Sequence, residues 1–206
     1  MKRAEWAVVF GALALVVIAL TYPAQTAGFH WVDDHLIARW INDGAEARWW
    51  LPVETDRFRP LYWGLRYAVL YPVFADVVGL WRAWGVAMNA AWMTLLYATI
   101  RRLGRRPVMA AAAVGAVLLY PQSTAIFYRL GPQEIVGNVL IMGAVYALVS
   151  GRLWVMVGLA GLAGLYKESY VAIIPALLAW TALASARRAG ADRRDRNGVG
   201  DPGAAG

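Results

Sequence analysis

Residues 6–22 form one unbroken apolar run, and largely apolar runs recur at 77–100, 107–121, 134–150, 153–166 and 169–186. A helix needs roughly 20 apolar residues to cross a bilayer, and in hydrocarbon only helices and closed barrels satisfy their own backbone. Successive runs of that kind exclude an ordinary soluble domain. They predict an all-α polytopic membrane protein with about six transmembrane helices. The composition agrees, at 60% hydrophobic and 16% charged residues.

The remaining composition narrows the chemistry. There is no cysteine, so disulfides, thiolate metal sites and a cysteine nucleophile are excluded. The net charge of +7 would suit nucleic acid. The arginines, however, fall where a membrane topology would put them, so no nucleic-acid partner is expected. With the N-terminus inside, Lys2, Arg3, Arg101 to Arg106, Arg152 and Arg187 to Arg196 are all cytoplasmic. The acids Asp33, Asp34, Asp43, Glu46, Glu54, Asp56, Asp76, Glu134 and Glu168 then gather at the outer face.

A basic start before an apolar run also suits a signal peptide, but this run is long and no Ala-x-Ala site follows. An uncleaved first helix ending at Pro23 is expected. Residues 23–76 read as the first extracytoplasmic loop, holding two short interfacial helices. In the first, Asp33 suits the N-cap and Asp34 the first turn, while Leu36, Ile37, Trp40 and Ile41 share one face. The second starts at Pro60 and is expected to stop before Pro72. Arg82 is placed to snorkel from the outer end of the second span. Gly158, Gly161 and Gly164 offer a small-residue face for close helix packing. Residues 1–186 form the transmembrane module, and 187–206 read as a disordered basic cytoplasmic tail.

Asp33-Asp34 is the leading site candidate. An acceptor-activating base, or a ligand pair for a divalent metal ion, would need carboxylates of this kind at the membrane surface. A plain helix cap with a dipole-favoured acid explains the same residues. His35 could assist. Glu134 opens a span near the hydrocarbon boundary, where a carboxylate is costly and often functional. Lys167-Glu168 interrupts two apolar runs, and Lys167 suits a phosphate as a point charge. Arg57, Arg59 and Arg129 suit phosphate too, although Arg57 and Arg59 could simply balance Glu54 and Asp56. Trp49, Trp50, Tyr62 and Trp63 could stack on sugars, but interfacial anchoring is the simpler role for most of them.

Three segments together carry a family resemblance: Phe29-His30-Trp31-Val32-Asp33-Asp34-His35 with Arg59-Pro60-Leu61, then Arg129-Leu130-Gly131-Pro132-Gln133-Glu134, then Leu165-Tyr166-Lys167-Glu168-Ser169. In order and outer-face position they resemble the GT-C membrane glycosyltransferases, particularly the protein-mannosyltransferase and aminoarabinose-transferase-like branch. The resemblance implies inverting transfer of a sugar from a polyprenyl-phosphate donor to an acceptor on the extracytoplasmic face. Asp33 or Asp34 would be the base, with Arg129 and Lys167 holding the donor phosphate. Such enzymes usually continue through further spans, so the chain reads as an N-terminal half, or as a module working with a partner membrane subunit. The rival readings are a non-catalytic membrane module that binds lipid-linked glycans or a partner enzyme, and a transporter. The transporter is disfavoured because the acids lie at one face instead of the midplane.

Overall fold

A computed structural model describes residues 3–25, 59–74, 77–120 and 133–183. The described residues are helical with short turns and contain no strand, in line with the expected all-α class. The interfacial helix at Asp33, the Trp49-Trp50 pair and the tail at 187–206 lie outside them. The chain divides into two compact units, Met1–Val171 and Ala172–Gly206.

In the first unit, α1 spans Arg3–Gln25 and therefore runs past Pro23. A proline this close to a helix end removes only the bond to the Ala19 carbonyl, a loss the last turn tolerates. The second helix, α2, is composite: an α-turn at Pro60–Trp63, a π-helical stretch at Gly64–Leu70 and another α-turn at Tyr71–Phe74. It too continues through its proline. The wider π turn before Pro72 relieves the clash its ring would make with the carbonyl four residues back.

Helix α3, Val78–Arg102, is central and packs against α1, α4 (Pro107–Leu118) and α5 (Gln133–Val149). It is buried almost all round between Asn89 and Thr99, where Trp92, Met93 and Tyr97 meet Ala110, Val114 and Leu118 of α4. Those α4 residues recur every fourth position and form one stripe, as a helix packed on a single neighbour requires. Near the start of α3, Trp81 is fully buried with Leu70, against the rings of Tyr71 and Phe74. Arg82 is half-buried and its Nε is enclosed.

Helix α6, Leu153–Tyr166, packs on α5 and on the first turn of α2. Its buried face is Met156, Ala160, Ala163 and Tyr166. Two of the three glycines expected to pack closely do not: a Cβ at Gly158 or Gly161 would meet open space, whereas one at Gly164 would sit 3.2 Å from Val171. The close approach comes instead from Gly143 of α5, where a Cβ would sit 3.1 Å from Leu159. Alanine is small enough to bring two helices together, and Gly158 and Gly161 are left exposed.

Among the described helices, α1 is the one long and apolar enough to cross a membrane. Helices α4, α5 and α6 are apolar but have 12, 17 and 14 residues. Large apolar side chains nonetheless stand outside, among them Val8, Leu15, Leu119 and Trp154.

In the second unit a helix covers 174–183, with Pro175 in its first turn, where a proline loses nothing. The Thr181 hydroxyl donates to the Leu177 carbonyl at 2.8 Å.

Candidate functional site

Four charged side chains from three distant parts of the chain meet where α6 ends. Helix α6 stops because Lys167 adopts an extended conformation, φ −153° and ψ 128°. The chain then re-enters a 3-10 helix at Glu168–Ile173. Extended backbone sends neighbouring side chains apart, and Lys167 and Glu168 accordingly turn to different partners. Lys167 Nζ donates to Glu134 Oε1 at 2.6 Å. Glu168 takes a two-pronged contact from Arg59, with both Nε and Nη2 donating at 2.5 Å. This fork-on-carboxylate geometry is the strongest form of such a pair.

The two bridges differ in setting. Arg59 is 3% exposed, whereas its partner Glu168 is 49% exposed. The guanidinium is thus buried behind a carboxylate that still reaches water. Lys167 and Glu134 are both half-buried. Glu134 lies in the first turn of α5, where the helix dipole favours negative charge.

Tyr170 closes the cluster from the 3-10 turn. Its hydroxyl lies 3.1 Å from the Glu134 carbonyl and 2.9 Å from Asn138 Oδ1, and donates to one at a time. The ring lies directly over Gly137, where a Cβ would collide with it. Glycine at 137 is therefore what lets the Tyr170 hydroxyl reach Asn138, one turn along α5 from Glu134.

Beside these bridges stands an aromatic enclosure around Arg66, on the π-helical stretch of α2. The guanidinium is buried, donates to the Tyr62 hydroxyl, and lies over the rings of Tyr62 and Tyr71 at 5.4 and 5.7 Å. Tyr62 in turn meets Tyr166 edge-on at 5.5 Å. Burial pushes the Tyr71 phenol above its ordinary range, against the opposing pull of Arg66. Tyr62 is buried, so it neither anchors an interface nor presents a free stacking face.

Arg59, Glu134, Lys167 and Glu168, named from sequence, are thus brought together. Asp33, Asp34, His35, Arg57 and Arg129 lie outside the described residues. Among the described residues no group of three histidines, aspartates or glutamates could hold a metal, and the two aspartates expected to do so are not among them. Sequence reasoning missed Arg66, Tyr166, Tyr170, Asn138 and Gly137. The one signal for them was Arg66, a lone cation in an otherwise apolar stretch from 61 to 74.

A separate ion pair marks the opposite end of the helices. Arg101, in the last turn of α3, donates from Nε to Glu5 of α1 at 3.2 Å, and Trp6 meets Tyr146 of α5 edge-on. The start of α1 therefore lies beside the ends of α3 and α5. No family model, curated protein or solved structure matches the chain.

Proposed function

We propose that this chain is a multi-pass membrane glycosyltransferase of the GT-C kind, or the front part of one. It would transfer a sugar from a polyprenyl-phosphate donor to an acceptor at the extracytoplasmic face. The observation that carries the reading is the meeting of Arg59, Glu134, Lys167 and Glu168 at one end of the helices. These residues come from the three segments on which the family resemblance rests.

In this reading Asp33 or Asp34 removes the acceptor proton as the hydroxyl attacks the anomeric carbon. Lys167 and Arg129 draw charge off the departing lipid phosphate. Arg59 and Glu168 hold the turn that presents Lys167. The large apolar side chains on the outside of α1, α4 and α6 support a lipid surround, because a soluble helix would turn polar residues outward.

One observation favours the non-catalytic reading, in which the module binds a lipid-linked glycan or a partner enzyme. Lys167 and Arg59 are each matched by a carboxylate, so an incoming phosphate must compete for them. A transporter reading draws less support. Asn89, a polar residue within α3, accepts a hydrogen bond from Trp92 Nε1 at 3.0 Å and so has a structural role.

Replacing both aspartates, Asp33→Asn with Asp34→Asn, is expected to abolish sugar transfer while the chain still inserts. The check is the envelope glycan profile of a strain whose only copy carries the double variant. Unchanged glycans, in a strain where deleting the gene alters them, would eliminate the enzyme reading.

A further inference from the structure

The end of the helices opposite the charged cluster carries its own chemistry. The α3–α4 connection is fixed by its backbone. Gly104 has φ +78°, and the N–H groups of Leu103, Gly104 and Arg105 donate to the carbonyls of Thr99, Arg101 and Ile100. The last carbonyls of α3 are thereby satisfied in the glycine-terminated manner. Arg101 is committed to Glu5 and, through Nη1, to the Arg105 carbonyl at 3.0 Å. The side chains of Arg102, Arg105 and Arg106 take no part in these bonds, and all three residues are exposed.

Apolar side chains are interleaved with these cations. Leu103 lies exposed between Arg102 and Arg105, and Val108 and Met109 are exposed just after Arg106. The α5–α6 turn repeats the pattern, with Gly151 at φ +74°, then an exposed Arg152 and Trp154 at 84% exposure. The described acids are Glu5, Glu134 and Glu168. Among them only Glu5 lies at this end, and Arg101 occupies it.

We propose that the two turns, through Arg102, Arg105, Arg106 and Arg152, form a docking surface for the headgroups of acidic phospholipids. Charge complementarity requires an anion. The interleaved Leu103, Val108, Met109 and Trp154 require that the anion come with an acyl boundary, since free phosphate would leave them in water. An indole beside an arginine suits the headgroup layer, where its ring is half in apolar surroundings. The inference rests on the membrane part of the proposed function and is independent of the transferase.

The test uses the full chain in detergent, with retained lipid counted by native mass spectrometry after exposure to phosphatidylglycerol or phosphatidylcholine. Phosphatidylglycerol is expected to be retained and phosphatidylcholine not. The triple variant Arg102→Ser, Arg105→Ser, Arg106→Ser is expected to weaken that retention by roughly a hundredfold, about fivefold for each arginine. Arg→Lys replacement at the same positions should preserve most of it. If the serine variant fails to insert, salt titration of the wild type decides: retention should fall steeply as salt rises.

Equal retention of the two lipids, an unaffected serine variant, or displacement by millimolar inorganic phosphate would each overturn the proposal. The readout needs no sugar donor, so a failed transfer assay leaves it standing. Release of the chain from membranes by an alkaline wash would instead remove the membrane reading itself.

Discussion

Lys167 and Glu134 illustrate how a charged pair is tolerated beside apolar helices: each supplies the counter-charge that the other's partial burial demands. Removing either one should cost more than removing both. Lys167→Met is expected to lower stability by about 1–2 kcal/mol, and adding Glu134→Gln should restore part of that loss. Thermal unfolding of the single and double variants in detergent measures the coupling. Strictly additive losses would mean that the pair does not interact in the folded chain. Gly137→Ala tests the neighbouring contact. Its methyl group would push the Tyr170 ring away, break the bonds to Glu134 and Asn138, and destabilise by about 1–3 kcal/mol.

At this scale the sequence marked the right charges but not their pairing. Arg59, Glu134, Lys167 and Glu168 stand out because isolated charges among apolar residues are expensive. Lys167 and Glu168 are adjacent in sequence, yet they bond to residues 33 and 109 positions away. Only the extended turn at Lys167 and the docking of α2 on α6 decide that. Tyr170 and Asn138 carry no comparable signal, since single polar side chains near helix ends are common.

Among the elements, helix bounds were legible wherever apolar periodicity met a clear breaker. The fifth run, 153–166, coincides with α6, Leu153–Tyr166. Prolines misled twice, at Pro23 and Pro72, because a proline ends a helix only when its lost bond and ring clash find no relief. Gly158 and Gly161 of α6 misled for another reason. Small residues permit close packing on any face, and here the buried face of α6 carries Ala160 and Ala163 instead. Ala163→Leu should therefore force α5 and α6 apart at a cost of about 1–3 kcal/mol, whereas Gly161→Leu should fall within the range of a surface change. Melting temperatures of the two variants make the comparison. A larger loss from Gly161→Leu would contradict the packing described.

For the whole molecule, the two ends of the helices are chemically distinct. One gathers Arg59, Glu134, Lys167 and Glu168 with the aromatic enclosure of Arg66; the other gathers Glu5, Arg101, the arginine turn and Arg152. The helix directions agree with an alternating path, since the start of α1 lies beside the ends of α3 and α5. Alternation was legible from the arginines alone. Helix lengths were legible too for α5 and α6, of 17 and 14 residues, whereas α4 ends at Leu118 instead of reaching 121. The transferase reading requires the charged cluster to face the extracytoplasmic side. Because the chain has no cysteine, single substitutions can report this directly. In intact cells, Ser169→Cys should react with a membrane-impermeant maleimide, while Leu103→Cys should react only after the membrane is opened. Labelling in the reverse order, or of both positions in intact cells, would contradict the account.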